Sequence, residues 1–144
     1  MFLKQLSVFI ENREGRLERV SEALSNENIN IIFLSLADTN EYGLLRMIVS
    51  NPEKAKEVLR NAGFSAILTD VVAVNLPHEV GKLKNMLGAI SNNGINVEYM
   101  YSILSGMKSG ALAIKTSDNE KTYKLLKENG FELLKSEQVY NEDN

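Results

Sequence analysis

Apolar and polar residues alternate at the start of the chain and then take a helical spacing. The alternation over residues 1–10 predicts a strand with one apolar face, formed by Leu6, Val8 and Ile10. From Arg16 to about residue 26, apolar positions recur every three or four residues, which predicts an amphipathic helix. Its predicted buried stripe is Leu17, Val20 and Leu24. Residues 12–17 therefore form a turn between a strand and a helix.

The pattern predicts four more elements before the same order begins again. An apolar run over residues 29–36 predicts a second strand, and Asn28 suits the preceding helix end because asparagine tolerates the left-handed conformation. The polar segment 38–43 predicts a hairpin connection to a strand over 44–49. Asn51-Pro52 predicts the start of a second helix, which ends at Gly63. Residues 64–68 predict a fourth strand, so the order is βαββαβ.

The same order of elements then occurs a second time. The pattern predicts strands over 71–76, 95–104, 111–115 and 132–140, a hairpin connection at 105–110, and a frayed polar tail at 141–144. Helices are predicted from Lys82 to about residue 92, and from a cap at Ser117 or Asp118 to residue 128. Identical residues recur at offsets of 66 or 67: Gly15 and Gly81, Ile29-Asn30 and Ile95-Asn96, Gly43 and Gly110, Gly63-Phe64 and Gly130-Phe131. Such internal similarity indicates a duplication.

The duplicated pattern predicts an α+β fold. A βαββαβ unit of this size has the ferredoxin-like arrangement, so we expect two such units in tandem, residues 1–69 and 70–144. Their antiparallel sheets are expected to pack side by side, with helices on one face. Units of about 60–70 residues are marginally stable alone, and only Thr69-Asp70 separates them. This favours halves that share an interface.

The composition excludes several classes of protein. The 144 residues are 44% hydrophobic and 24% charged, which is typical of a globular protein. A net charge of −3 with scattered basic residues disfavours nucleic acid binding, which needs clustered Lys and Arg. No uncharged apolar run approaches the ~18 residues of a membrane span, and no signal-peptide pattern begins the sequence. There is no cysteine. We therefore expect a cytoplasmic protein with no nucleic acid or membrane partner.

The turn at residues 12–17 carries the chemistry of a small-ligand site. Gly15 lets the backbone approach a ligand closely. The helix that begins at Arg16 directs free N–H groups at the same space, which favours a carboxylate. Asn12 offers a donor and an acceptor, or it could simply cap the helix. Leu17 is expected to pack the helix against the sheet. A purely structural turn is the alternative for both glycines, Gly15 and Gly81.

With this Asn-basic-x-Gly-x-Leu turn, and with Ile-Asn after each predicted first helix of a repeat, the chain resembles the ACT domain family. The resemblance is to small bacterial proteins made of two tandem ACT domains. It implies a regulatory fold that binds a free amino acid or a similar small carboxylate at the interface between two domains. It also implies that the start of the second strand contributes, here Asn30 and Ile31 in one half and Asn96 and Val97 in the other.

Pairing of the two halves would give two pseudo-equivalent sites. One would place Asn12 near Asn96, and the other would place His78 near Asn30. The predicted ligand-binding residues are Asn12, Arg13, Glu14, Gly15, Arg16, Leu17, Asn30, Ile31, His78, Val80, Gly81, Lys82, Leu83, Asn96 and Val97.

The second turn, residues 78–83, departs from the first. His78 stands where the first turn has Asn12, and it can still donate and accept a hydrogen bond. Glu79 replaces Arg13 and would repel a carboxylate if it points inward, and Val80 changes the lining. We therefore expect the two sites to differ in ligand or affinity, or only one of them to be occupied.

No catalytic or metal site is evident. His78 is the only histidine, and the sequence shows no positioned partner for general base catalysis. Tyr99, Met100 and Tyr101 could line a pocket or fill a sheet surface. We expect no cofactor, no metal and no catalytic residue, and a regulatory protein that binds an amino acid. The alternative is an interaction module or detached regulatory subunit of an amino-acid biosynthetic enzyme. Apolar strands at sheet edges favour a homodimer.

Overall fold

A computed structural model describes residues 2–38, 41–103 and 110–140 of the chain. These residues divide into two compact units, one of Lys4–Thr69 and one made of the described part of residues 70–144 with Phe2 and Leu3. Parts of the predicted hairpin connections at 38–43 and 105–110 lie outside the described residues. The predicted tail at 141–144 and the strand end at Leu104 lie outside them as well.

The first unit has two helices on one face of an antiparallel sheet. Its elements are β1 (Leu3–Glu11), α1 (Arg16–Asn26), β2 (Ile31–Asp38), β3 (Tyr42–Val49), α2 (Pro52–Asn61) and the first part of β4 (Ser65–Leu76). The strand order is β2-β3-β1-β4. β3 pairs antiparallel with both β1 and β2, in registers that place Leu45 opposite Val8 on one side and Leu36 on the other.

Alternation along β1 places its apolar face in the core of the first unit. The predicted face of Leu6, Val8 and Ile10 is buried, and the helices contribute Val20, Leu24, Ala55 and Leu59 to the same cluster. Burial of apolar surface contributes roughly 25 cal/mol per Å², so this cluster holds both helices on the sheet. The ferredoxin-like unit predicted from the sequence is confirmed.

The second unit repeats this architecture. Its elements are the rest of β4, then α3 (Lys82–Asn92), β5 (Val97–Ile103), β6 (Gly110–Thr116), α4 (Asn119–Glu128), β7 (Glu132–Leu133) and α5 (Ser136–Tyr140). β6 pairs antiparallel with β4 and β5, and β7 pairs with β4. Leu112 lies opposite Val74 and Ser102, which is the register of Leu45 in the first unit. The predicted tandem duplication is therefore confirmed.

Helix ends follow the predicted chemistry. Asn28 after α1 has a φ of 56°, the left-handed conformation expected of it. At the start of α2 the Asn51 Oδ1 accepts a hydrogen bond from Lys54 N–H at 3.2 Å. At the start of α4 the cap is Asp118, whose Oδ1 accepts from Lys121 N–H at 3.0 Å. Of the helices in the described part of the chain, none has the length and apolar character needed to cross a membrane.

Two predicted strands differ in the structure. The strands expected at 64–68 and 71–76 form one continuous strand, β4, because Thr69-Asp70 contains neither Gly nor Pro to break it. The final strand predicted over 132–140 ends at Leu133, and α5 follows it. The Gln138 Oε1 accepts from Lys135 N–H at 2.8 Å, a local bond that stabilises the first turn of this helix.

Candidate functional site

The two predicted turns have the same backbone hydrogen bonds. Arg13 N–H donates to the Glu11 carbonyl at 2.9 Å, and at the same place in the second turn Glu79 N–H donates to the Pro77 carbonyl at 2.8 Å. One step later, Arg16 N–H donates to Arg13 O at 3.4 Å, as Lys82 N–H donates to Glu79 O at 3.2 Å. The turn geometry is thus duplicated with the fold, although only the glycine and the leucine are identical in the two turns.

In each turn the residue just before the helix is a glycine in the left-handed conformation. Gly15 has φ 80° and ψ −8°, and Gly81 has φ 91° and ψ −13°. A Cβ added at either position would meet no atom within 4 Å. The requirement for glycine therefore comes from the backbone dihedrals and not from crowding, and the space beside each glycine is open to a ligand.

The helices that follow these turns start without a side-chain cap. Neither α1 nor α3 receives a capping hydrogen bond from a side chain, whereas α2 and α4 are capped by Asn51 and Asp118. The first N–H of each helix, that of Arg16 or Lys82, donates within its turn. The next N–H groups have no intrahelical acceptor, so they can bind a carboxylate. The alternative that Asn12 caps α1 is wrong: its N–H donates to the Glu41 carbonyl at 3.2 Å, and its side chain is exposed.

The charged residues of the two turns are arranged differently. Arg13 Nε lies 3.2 Å from Glu11 Oε2, so the basic residue of the first turn is paired with the last residue of β1. In the second turn Lys82 Nζ lies 3.9 Å from Glu79 Oε2. Both pairs are exposed and contribute little to stability. Lys82 partly offsets the repulsion that Glu79 would exert on a bound carboxylate.

At the start of α1 the contact with Phe64 is made by Arg16, whereas the sequence predicts that Leu17 packs this part of the helix. The Arg16 guanidinium carbon lies 4.6 Å from the centroid of the Phe64 ring, a cation–π contact. Its Nε is buried and has no hydrogen-bond partner among the described residues. Leu17 is 39% exposed and Leu83 is 43% exposed. The prediction that Leu17 packs the helix against the sheet is wrong, because its side chain is exposed and lies outside the core cluster of the first unit.

Asn30 and Asn96 occupy equivalent positions just before β2 and β5. Asn30 N–H donates to Ser50 Oγ at 2.9 Å, and Ser50 N–H donates back to Asn30 O at 2.9 Å. Asn96 and Ser117 form the same two bonds at 3.0 and 2.9 Å. The backbone of each asparagine is thus fixed while its side chain is exposed. Ile31 and Val97, which follow them, are half-buried.

Three cavities contain some of the predicted residues. A cavity of about 340 Å³ in the first unit is lined by Ser21, Ser25, Asn28, Ile29, Asn30 and Ile31. Its counterpart beside α3 has about 620 Å³ and includes Leu83, Asn96 and Val97 in its lining. A third cavity of about 310 Å³ is lined by Leu76, His78, Leu83, Met100, Tyr101, Ser102, Gly110 and Leu112.

In the second unit these cavities bring several predicted residues together. Leu83 lines both the 620 Å³ and the 310 Å³ cavity, so it lies between His78 on one side and Asn96 and Val97 on the other. Val80 is fully exposed, whereas Gly81 and Lys82 are half-buried. In the first unit Asn30 and Ile31 share a cavity that residues 12–17 do not line. The predicted proximities of Asn12 to Asn96 and of His78 to Asn30 stay predictions.

The sequence reasoning missed Phe64, Ser102 and Gly110. The signal for Ser102 was available, because Leu36 stands 66 residues before it, and the duplication makes the two positions comparable. Met100 and Tyr101 do line a cavity, while the Tyr101 ring also stacks on Tyr99 with centroids 6.5 Å apart. Within the described residues, no group of three or more His, Cys, Asp or Glu side chains could hold a metal ion.

The turns, the fold and the cavities can be compared with known proteins. The sequence matches the family described as ACT domain pair over residues 1–142. The structure is similar to that of protein BT0572 from Bacteroides thetaiotaomicron, with 40% identity, a TM-score of 0.91, and coverage of 98% of this chain and 97% of that one. No curated protein matches the sequence.

More distant structures share the fold. The regulatory subunit of aspartate kinase from Thermus thermophilus, in its ligand-free form, is 16% identical with a TM-score of 0.61, covering 88% of this chain and 92% of that one. The same subunit from Thermus flavus is 18% identical with a TM-score of 0.60, covering 87% and 90%. The family match over nearly the whole sequence, the 40% identical structure and the duplicated turns agree. The chain belongs to the ACT domain pair family.

Proposed function

We propose that this protein is a non-catalytic regulator that binds a free amino acid, with residues 1–69 as the first ACT-like domain and 70–144 as the second. The observation that carries the proposal is the duplicated turn, in which a left-handed glycine leads into a helix without a side-chain cap. An α-carboxylate can accept from the free N–H groups of such a helix. A nearby polar side chain such as Asn12 or His78 can bind the α-amino group or the carboxylate.

The proposed ligand-binding residues are those of the two turns and of the two strand starts. Their set is Asn12 to Leu17, His78, Val80 to Leu83, Asn30, Ile31, Asn96 and Val97. We propose that the ligand is held where two ACT-like domains meet and that the protein forms a homodimer. Such a site would couple binding to the arrangement of domains, since a ligand shifts an equilibrium by its different affinity for the two states.

The first experiment is thermal unfolding of the purified protein against each of the twenty amino acids. A ligand that binds only the folded state at about 100 times its Kd adds roughly 2.7 kcal/mol, which raises the melting temperature by several degrees. We expect one amino acid, or one group of similar side chains, to do this. If none of the twenty changes the melting temperature at millimolar concentration, amino-acid binding is ruled out at useful affinity.

Two variants then show which turn binds. Asn12→Ala and His78→Ala each remove one polar side chain. We expect the ligand-induced rise in melting temperature to be smaller in the variant whose turn binds the ligand. Asn26→Ala is a matched control, because Asn26 is also an exposed asparagine and lies at the other end of α1. Equal losses in the control and in both variants would contradict binding at the turns.

A detached regulatory subunit of an enzyme is the second candidate. It is favoured by the shared fold of the two aspartate kinase regulatory subunits, which are chains of comparable length. This candidate requires a partner enzyme whose activity changes when the protein and the amino acid are both added. Binding of the amino acid without any effect on a co-purified enzyme favours a protein that acts through another kind of partner.

A further inference from the structure

The 310 Å³ cavity of the second unit has a mainly apolar lining, and none of its described lining residues is an Asp, Glu, Lys or Arg. Leu76, Leu83, Met100 and Leu112 contribute apolar groups, and His78 and Ser102 contribute polar ones. It lies between the helix-facing side of the sheet and the first turn of α3, of which Leu83 is the second residue. Small-molecule pockets begin at about 300 Å³, so this cavity suits one small molecule.

The first repeat has a larger side chain, that of Leu36, at the equivalent register position, where it is 47% exposed. Leu36 pairs with Leu45, and Leu45 pairs with Val8. In the second repeat Ser102 pairs with Leu112, and Leu112 pairs with Val74, so Ser102 holds the register position of Leu36. A serine has too little volume to fill the place of a leucine, so part of the space that Leu36 occupies in the first repeat belongs to the cavity in the second.

The contacts of Gly43 and Gly110, which occupy equivalent positions, show the same difference between the two repeats. A Cβ added to Gly43 would lie 3.0 Å from Leu36 Cδ1 and 3.3 Å from Ile10 Cγ1. A Cβ added to Gly110, the equivalent residue, would lie 3.1 Å from His78 Nε2 instead. An imidazole therefore takes the position over the glycine that aliphatic side chains take in the first repeat. It gives the apolar cavity one polar side.

We propose that this cavity binds the side chain of an uncharged aliphatic α-amino acid, so that the ligand preference of the protein is set in its second repeat. The inference rests on the proposed function, and it adds the chemical class of the ligand. A charged side chain would lose hydration against this lining, and the described lining residues include no Asp, Glu, Lys or Arg to offer an opposite charge. The α-carboxylate lies at the uncapped start of α3, next to Leu83, where backbone N–H groups can bind it.

A series of amino acids that differ by one methylene tests the cavity directly. We expect affinity, measured by isothermal titration calorimetry, to rise about fourfold per methylene from L-alanine through L-2-aminobutyrate to L-norvaline, because each buried methylene contributes about 0.8 kcal/mol. L-lysine and L-aspartate are expected to bind at least about tenfold more weakly than L-norvaline. A charged amino acid that binds more tightly than every aliphatic one overturns the inference.

Ser102→Leu gives the second repeat the side chain that the first repeat already has. We expect the affinity for L-norvaline to fall at least about tenfold, since the space for one buried aliphatic side chain is lost, while the melting temperature of the free protein does not fall. Leu36→Ser is the reciprocal control and is expected to leave the affinity within about twofold. Ser102→Val, with a smaller side chain, serves as a second blocking variant if Ser102→Leu folds poorly.

The possible outcomes separate the two proposals. If L-norvaline binds the blocking variants as tightly as the natural protein, the cavity is not the site and amino-acid binding still stands. If only polar or charged amino acids bind, the same conclusion holds. If no amino acid of any kind binds the natural protein, the proposed function fails, and the cavity assignment fails with it.

Discussion

The first and second repeats have the same backbone at the turn and different side chains around it. Three backbone hydrogen bonds within residues 11–19 recur within 77–85, and in both turns a left-handed glycine precedes the helix. Around this frame the first repeat places Arg16 over Phe64 and Leu36 beside Gly43. The second places His78 over Gly110 and leaves a cavity. The duplication thus preserved the main-chain groups that can bind a carboxylate, while the side-chain pocket differs.

The largest effect is expected in the hydrophobic cores, which are built alike in the two repeats. Leu59 in α2 and Leu126 in α4 are fully buried at equivalent positions. We expect Leu59→Ala and Leu126→Ala each to lower the free energy of unfolding by about 2–5 kcal/mol, because each leaves a cavity. Urea denaturation measures this.

Glu57→Ala and Lys124→Ala are matched controls, because both residues are exposed at equivalent positions of the same helices. We expect changes within about 0.5 kcal/mol for them. A large loss for Leu59→Ala together with almost none for Leu126→Ala would show that the cores of the two repeats differ as much as their pockets.

A smaller effect is expected at the turn glycines, and it should again be the same in both repeats. Gly15→Ala and Gly81→Ala place a Cβ on a left-handed backbone, which costs about 1–2 kcal/mol. No neighbouring atom adds to this cost. Thermal unfolding of the ligand-free variants measures it.

Gly15→Asn and Gly81→Asn sharpen this test. Asparagine enters the left-handed conformation more easily, as Asn28 does after α1, so its variants should lose less stability than the alanine ones. Equal losses for alanine and asparagine would mean that something other than the backbone conformation requires glycine at these turns.

The smallest expected effect distinguishes the repeats. A double-mutant cycle with Arg16→Met and Phe64→Leu should give a coupling of about 0.5–1 kcal/mol, the size of a cation–π contact near the surface. The equivalent cycle with Lys82→Met and Phe131→Leu should give a coupling close to zero, because Lys82 Nζ lies by Glu79 instead. Similar coupling energies in the two cycles would contradict the assigned difference between the turns.

The fold was largely predictable from the sequence because its signals are local and occur twice. Gly63-Phe64 and Gly130-Phe131 mark the same helix end, and Asn51-Pro52 marks a helix start, by chemistry that acts over a few residues. The prediction of a strand over 132–140 was wrong because a short helix forms there, with a local bond in which Gln138 Oε1 accepts from the Lys135 N–H. The spacing of apolar residues does not reveal such a bond between a side chain and the backbone, so it cannot distinguish this short helix from a strand.

The site was predictable only in part. Periodicity placed Leu17 and Leu83 on the apolar stripes of their helices, but burial depends on what lies opposite, and both are exposed at the first turn. The backbone of the turns followed from their glycines. The cavity depends on a contact between residues far apart in the chain, such as His78 over Gly110. Comparing Leu36 with Ser102 would have revealed it, once the two strands were aligned by their common register.

Leu83 forms a shared wall between the 310 Å³ and 620 Å³ cavities. Any molecule that turns this side chain on entering one cavity changes the volume of the other at the same time. Such a molecule would link the two spaces thermodynamically, and the linkage would be equal in both directions: whatever the first occupant did to the affinity of the second, the second would do to the first. A change in one leucine rotamer would then connect two binding events within a single small domain.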